Sequence, residues 1–293
     1  MNNALPASRR PLVLGVCLAP VFVASSLQAR RRTTFLVVDV IRATTTLSVM
    51  FERGVRRVLI APSIAEARAY RDANENDALL AGESDGVAPV GFDFGNSPAE
   101  FEHAQVTDRE IVFATTNGTH ALRACVGGRA VYAAALRNAR AVCAAALHNA
   151  SQPALLESRW QAGETGSASE AALAEREPDI IIVCSGRGDR PAFDDTICAG
   201  YLTQELLQQA AARGTALELD EGARIALASA SEVVATGDAR GALAISDAAR
   251  ATVRVGLSGD LDWCAAIDAT DVVAAVAGTT PEGQLVMERL ATI

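Results

Sequence analysis

Leu36–Thr46 reads LVVDVIRATTT, and this stretch decides what kind of fold the chain builds. Leu36, Val37 and Val38 form an apolar run of strand type that ends on the carboxylate of Asp39. Arg42 follows, then three hydroxyls, Thr44, Thr45 and Thr46, where a helix should begin. Such a strand hands an acid, a cation and a hydroxyl-rich helix start to one edge, which are the parts of an anion-handling site. The free N–H groups and positive dipole end of a helix favour a phosphate there. A buried strand with a threonine N-cap accounts for one of these threonines and leaves the rest of the string unexplained.

Working outward, apolar runs of strand length recur at 12–18, 35–40, 58–61, 78–81, 111–114, 131–134, 180–184 and 272–276. Several are apolar on both faces, as strands covered by helices on both sides must be. Helical patterns separate them at 45–53, 63–73, 119–125, 139–150 and 196–212. This alternation predicts a layered α/β/α fold with a largely parallel or mixed sheet. From 221 to 256 the chain is Ala-rich and reads as helix broken near Gly237 and Gly241. The stretch 151–178 mixes Ser, Gly, Glu and Ala and reads as a surface connection. At 293 residues, the chain is then one catalytic α/β unit over 1–293, or two lobes of about 11–150 and 179–293 joined by that connection.

Composition excludes several functions. Half the residues are hydrophobic and mean hydropathy is +0.18, enough for a sizeable core. The net charge of −9 argues against a nucleic-acid surface. All 26 Lys/Arg positions are Arg. Without a lysine there is no Schiff base, no P-loop lysine and no lysine base. Cys17, Cys125, Cys143, Cys184, Cys198 and Cys264 lack CxxC spacing and read as buried reduced thiols of a cytoplasmic protein. Three histidines without HExxH give no zinc site. No segment reaches the ~18 uninterrupted apolar residues of a membrane span. Arg9, Arg10 and the apolar run after them resemble a secretory leader, but Pro11 and Pro20 interrupt that run, and 12–18 reads better as a strand.

Four further segments sit where strands end, which is where open α/β sheets bind ligands. AGESDG places Glu83 and Asp85 in a Gly-flanked loop, and GFDFGNSPAEF sets Asn96 and Ser97 before Pro98, a helix-start signal. FATTNGTHAL runs from a strand through Thr115, Thr116, Asn117, Gly118 and Thr119 into a helix, repeating the logic of Thr44–Thr46. IIIVCSGRGDRPAFDDTICAG lacks the third glycine of a dinucleotide fingerprint, since Pro191 stands there. It leaves Arg187 and Arg190 beside Asp194 and Asp195, and Asp195 reads as an N-cap. Asp39, Glu83, Asp194 and Asp195 can together hold a hard divalent cation such as Mg2+, which needs only one or two carboxylates besides water and phosphate oxygens. Metal-assisted phosphoryl chemistry is the simplest work for these parts.

Taken in order, VVDVIRATTT, GFDFGNSPAEF, ATTNGTHAL, CSGRG…DDTICAG and the C-terminal DLDWCAAIDATDVV closely resemble the 2-phosphosulfolactate phosphatase family of coenzyme M biosynthesis, from about Leu12 to Gly278. The resemblance implies a Mg2+-dependent cytoplasmic phosphatase that converts 2-phospho-3-sulfolactate to sulfolactate and phosphate. The family usually carries an arginine where Ser84 stands and a glutamate where Asp194 stands, which bears on how the substrate's other acid groups are held. Asp39 and Asp195 are the expected catalytic acids, as metal ligands and as nucleophile or activator of water. Glu83 and Asp194 are further ligands. Arg42, Thr45, Asn96, Ser97 and the turn Thr115–Thr119 are expected to bind substrate, with Arg187 on its sulfonate or carboxylate.

Alternatives remain at this point: a phosphatase for another small anionic phospho-acid, or a non-catalytic sensor of an anionic metabolite. A haloacid-dehalogenase-type phosphatase fits poorly, because Ile41 stands where its DxD motif needs the second acid. The Ala-rich C-terminal half offers a surface for a homodimer.

Overall fold

The computed structural model describes residues 10–20, 32–73, 78–152, 178–188 and 190–291, so most of the connection read over 151–178 lies outside the described residues. The first half runs β1 (Leu12–Cys17), β2 (Thr34–Val38), α1 (Ala43–Glu52), β3 (Arg57–Ile60), α2 (Ile64–Ala73), β4 (Leu79–Gly82), a 3-10 turn at Pro98–Phe101, β5 (Glu110–Ala114), α3 (Gly118–Ala124), β6 (Ala130–Ala134) and α4 (Ala139–Ser151). The second runs β7 (Ile180–Cys184), α5 (Phe193–Ala212), β8 (Leu217–Leu219), α6 (Glu221–Ser229), α7 (Ser231–Thr236), α8 (Ala239–Ala244), α9 (Asp247–Arg254), α10 (Asp260–Ala265), β9 (Ala274–Thr279) and β10 (Leu285–Arg289).

Among the described residues, ten strands join one sheet in the order β4-β5-β3-β10-β9-β6-β2-β7-β1-β8. The α/β reading therefore holds, and the sheet is mixed. Two parallel blocks, β4-β5-β3 and β6-β2-β7-β1-β8, are bridged by the hairpin β9–β10, which is antiparallel to its neighbours on both sides. β1 is paired along both edges, to β7 and β8. Strands from before and after the long connection are interleaved within the second block, β7 lying between β2 and β1.

Strand directions count against a flat sheet. β5 runs opposite to β2 and lies five strand spacings away, about 24 Å at ~4.8 Å each. Their C-terminal ends nevertheless meet, for a Cβ on Gly118 would lie 2.8 Å from Asp39 Oδ2. Twist resolves this: roughly −20 to −25° per step accumulates to about 100–125° over five steps. The sheet thus curls around one shared core, in which Phe35 and Val37 of β2 meet Ile111 and Phe113 of β5, Met287 of β10 and Leu47 and Met50 of α1. On the outer face, Leu36 and Val38 pack under α4 and α5, while Leu80 and Val112 pack under α2.

Local chemistry sets the helix ends. Asp220 and Ser246 cap α6 and α9, accepting from Ala223 N at 2.7 Å and Ala249 N at 3.0 Å. Gly237 ends α7 with φ +74°, the left-handed conformation that glycine adopts without penalty. Gly241 is no break: it lies inside α8, its N–H held by the cap residue Asp238 at 2.8 Å. α5 begins at Phe193 behind Ala192, so Asp195 sits within the first turn and is not the N-cap. α1 has no threonine cap either; Arg42 occupies that position. β8 and β10 are strands that the apolar runs did not mark. Among the described residues, no helix is long and apolar enough to cross a membrane.

Candidate active site

A cavity of about 620 Å³ opens where the curled sheet brings the C-terminal ends of both blocks together. The loop after β2 supplies Asp39 and Arg42, the loop after β4 supplies Glu83 and Asp85, and the loop after β5 supplies Thr115, Thr116 and Asn117. Gly186 and Arg187 follow β7, Asp194 and Asp195 open α5, and α9 forms the remaining wall. Asn96 also lines it.

The acids are held by backbone donors. Asp195 is 2% exposed and accepts from Val40 N at 3.0 Å and Gly186 N at 2.9 Å, clasping the ends of β2 and β7. Asp39 sits at the N-terminus of α1, where Ala43 N reaches its Oδ1 at 3.4 Å and Thr44 N reaches its carbonyl at 3.0 Å. The acid group at that helix start is the carboxyl of Asp39 itself. Glu83 uses both oxygens, taking Gly86 N at 2.9 Å and Thr116 N at 2.8 Å, which ties the β4 and β5 loops together.

Burial decides how these acids titrate. It lifts Asp39 to about 7, with repulsion from Asp194 and Glu83 adding to the effect and Ala43 N–H and Arg42 opposing it. It lifts Asp194 to about 6 against the pull of its own N–H, Ser246 and Arg187. Burial, then Asp194 and Asp39, hold Asp195 well above the usual carboxylate range. Three acids thus share one poorly solvated corner and repel one another. Among the described residues, no group of three or more His, Cys, Asp or Glu is arranged to hold a metal ion by itself.

Each residue singled out in the sequence can be placed. Asp39, Glu83, Asp194, Asp195, Arg42, Asn96, Thr115, Thr116, Asn117 and Arg187 all line the cavity. Thr45, Ser97, Gly118 and Thr119 stand behind it. Thr45 donates to Val40 O at 2.9 Å, and Thr119 is paired with Thr115 through Thr115 N at 3.1 Å. Ser97 donates to Asp260 at 2.5 Å. Gly118 matters by what it lacks, since a Cβ there would lie 2.8 Å from both Ala43 Cβ and Asp39 Oδ2. Arg42 is only 5% exposed, paired with Asp260 at 3.0 Å and donating to Gly86 O at 2.8 Å.

The family profile described as 2-phosphosulpholactate phosphatase matches residues 22–279. The chain belongs to that family, one of phosphoric monoester hydrolases. A protein of Thermus thermophilus named probable 2-phosphosulfolactate phosphatase is 38% identical over 249 residues, 84% of this chain and 89% of its own length. Proteins of the same name from Deinococcus radiodurans and Symbiobacterium thermophilum are 36% and 32% identical, over 81% and 86% of this chain and 85% and 93% of theirs. The strand-end motifs that carry the resemblance are the segments that meet at the cavity.

Sequence reasoning missed the wall that α9 builds. Arg250 and Arg254 on α9, with Ile245, Ser246 and Thr252, face the cavity, and Asp260 stands behind it. Arg250 is committed to Asp247 at 2.6 Å and to Ile245 O at 2.5 Å. Arg187 and Arg254 are in no ion pair among the described residues, and both lie close enough to lower Asp247, whose first cause is Arg250. The signal was present in DAARATVR, where two arginines four apart share one helix face.

Proposed function

We propose that this chain is a Mg2+-dependent phosphatase that hydrolyses 2-phospho-3-sulfolactate to 3-sulfolactate and phosphate. One observation carries the reading: in a member of this family, a single cavity buries Asp39, Asp194 and Asp195 at one end and presents Arg187 and Arg254 at its exposed rim. Such a cavity matches a small substrate with several anionic groups, one of which must be drawn toward buried acids with the help of a cation. The mutual repulsion of carboxylates in that poorly solvated corner would be relieved by a hard divalent ion, which needs only one or two carboxylates and completes its shell with water and phosphate oxygens. Asp39 and Asp194 would hold Mg2+, which when bound neutralises charge on the phosphoryl group and acidifies a water molecule.

The chain's own residues do the rest. Asp195 fixes the ends of β2 and β7 and so the position of Asp39. Arg42, Thr116 and Asn117 orient the phosphoryl group, and Gly188 N–H to Asn117 Oδ1 at 3.3 Å joins the two loops that flank it. Arg187 and Arg254 bind the sulfonate and carboxylate through charge-assisted hydrogen bonds. The oxygen of water adds to phosphorus and gives up a proton, the P–O bond to the C2 oxygen breaks, and that oxygen takes up a proton to leave as the hydroxyl of 3-sulfolactate.

The test is phosphate release from racemic 2-phospho-3-sulfolactate by the purified full chain, with Mg2+ and then with EDTA. Release that stops with EDTA and returns with Mg2+ is expected. Release unaffected by EDTA would remove the metal from the proposal. A folded protein that binds the compound without turnover would make it a sensor.

A further inference from the structure

We infer that Asp260 is a positioning residue of this site, the common anchor of Arg42 and of the Asn96–Ser97 corner. The inference rests on reading the cavity as a phosphatase site. Asp260 opens α10 and is 1% exposed, yet it does not line the cavity. Its Oδ2 takes Arg42 Nη1 at 3.0 Å and its Oδ1 accepts from Ser97 Oγ at 2.5 Å. Those partners lie 218 and 163 residues away in sequence, so one carboxylate draws three distant segments to a single point.

What it holds in place faces the cavity. Arg42 is a long, rotamer-rich side chain, and a buried guanidinium without its carboxylate would be an uncompensated charge. With Nη1 on Asp260 and Nη2 on Gly86 O at 2.8 Å, the guanidinium is fixed at the cavity that Asp39 also lines and keeps further N–H groups for a ligand. The same contact to Gly86 steadies the Glu83–Gly86 loop, whose glutamate holds Thr116 N at 2.8 Å. On the other arm, Ser97 fixes its neighbour Asn96, which is 6% exposed, lines the cavity and keeps a buried Oδ1 with no hydrogen-bond partner among the described residues. A buried amide oxygen without a partner is costly unless a ligand or water completes it. Asp260 therefore sets two ligand-facing groups from behind, and neither of its own oxygens is left for the substrate.

The experiment measures kcat, KM and the thermal midpoint for wild type, Asp260→Asn, Arg42→Gln, the double variant and Ser97→Ala. The assay uses the full chain with Mg2+ and 2-phospho-3-sulfolactate. Asp260→Asn should lower kcat roughly 10–100-fold, the scale of a small misplacement of a reacting group, when assayed well below a midpoint that itself falls because Arg42 is left buried and unpaired. The double variant should lose less than the product of the two single losses, because the Arg42 arm is shared, with only the Ser97 arm left to add to Arg42→Gln. Unchanged kcat in Asp260→Asn, or losses that multiply in the double variant, would overturn the proposal. So would a loss of activity that merely follows a collapsed midpoint and returns on cooling. If Asp260→Asn does not fold, Ser97→Ala carries the test: a several-fold fall in kcat at an unchanged midpoint supports the anchor, and full activity overturns it. Absence of turnover in wild type would sink the phosphatase reading and this inference with it.

Discussion

Asp39 shows how a single residue couples fold to chemistry. Its carboxyl is placed by the start of α1 and lifted by burial to about 7, so in the metal-free protein it is held protonated well above the range of a free carboxyl. A raised folded pKa stabilises the fold fully below the unfolded value and loses that contribution as pH rises through the folded one. In EDTA, Asp39→Asn should therefore unfold at a higher temperature than wild type at pH 8, with the gap closing toward pH 4. A gap that stays constant or reverses would mean the carboxyl is not buried as described. In the activity assay, the same variant should lose turnover by orders of magnitude. On the rim, Arg254→Gln should raise KM for the sulfonated substrate roughly tenfold, one lost charge-assisted hydrogen bond, while leaving 2-phospholactate nearly unaffected. Equal effects on both compounds would take Arg254 away from the sulfonate.

At the scale of elements, two glycines separate site from scaffold. A Cβ at Gly118 would press on Ala43 and Asp39, whereas one at Gly200 would lie 2.0 Å from Ala226 O, where α5 crosses α6 away from the cavity. Both alanine variants should cost ~1–3 kcal/mol or more by overpacking. Only Gly118→Ala should also cut kcat in the protein that remains folded, which thermal melts beside initial rates would show. Equal specific activity of the two folded variants would count against the contact between the β5 turn and Asp39.

The strands and helices that were legible share a physical cause: each is an apolar run bounded by a strand-end motif or a cap. β8 is three residues and only partly buried, so it left no pattern. β10 does alternate, with Leu285 and Met287 buried between Val286 and Glu288, but its run is short and closes a hairpin near the chain's end. The acids and strand-end loops were readable because a βα unit delivers them locally. Thr45 and Thr119 stand behind the cavity lining, their hydroxyls bonded to nearby backbone and side-chain atoms, which a motif does not reveal. Arg254 left only the spacing of two arginines four apart on one helix face, and Asp260 left no site signal, because their roles depend on what the C-terminal helices pack against, and that is set by tertiary structure.

For the whole molecule, the account is that sheet twist and an antiparallel hairpin bring two blocks of opposite direction to one edge. That edge is a cavity with buried acids at one end and arginines at its rim. A chain with net charge −9 gains little from long-range attraction of an anionic substrate, so recognition has to be local to those arginines and to a bound cation. The central claim is that the second acid group is recognised. It is tested most directly by the ratio of kcat/KM for 2-phospho-3-sulfolactate to that for 2-phospholactate, which lacks the sulfonate, with Mg2+ and the full chain. The account predicts a ratio of about 10–100, the weight of one or two charge-assisted hydrogen bonds. A ratio near one, or a preference for 2-phospholactate, would contradict it.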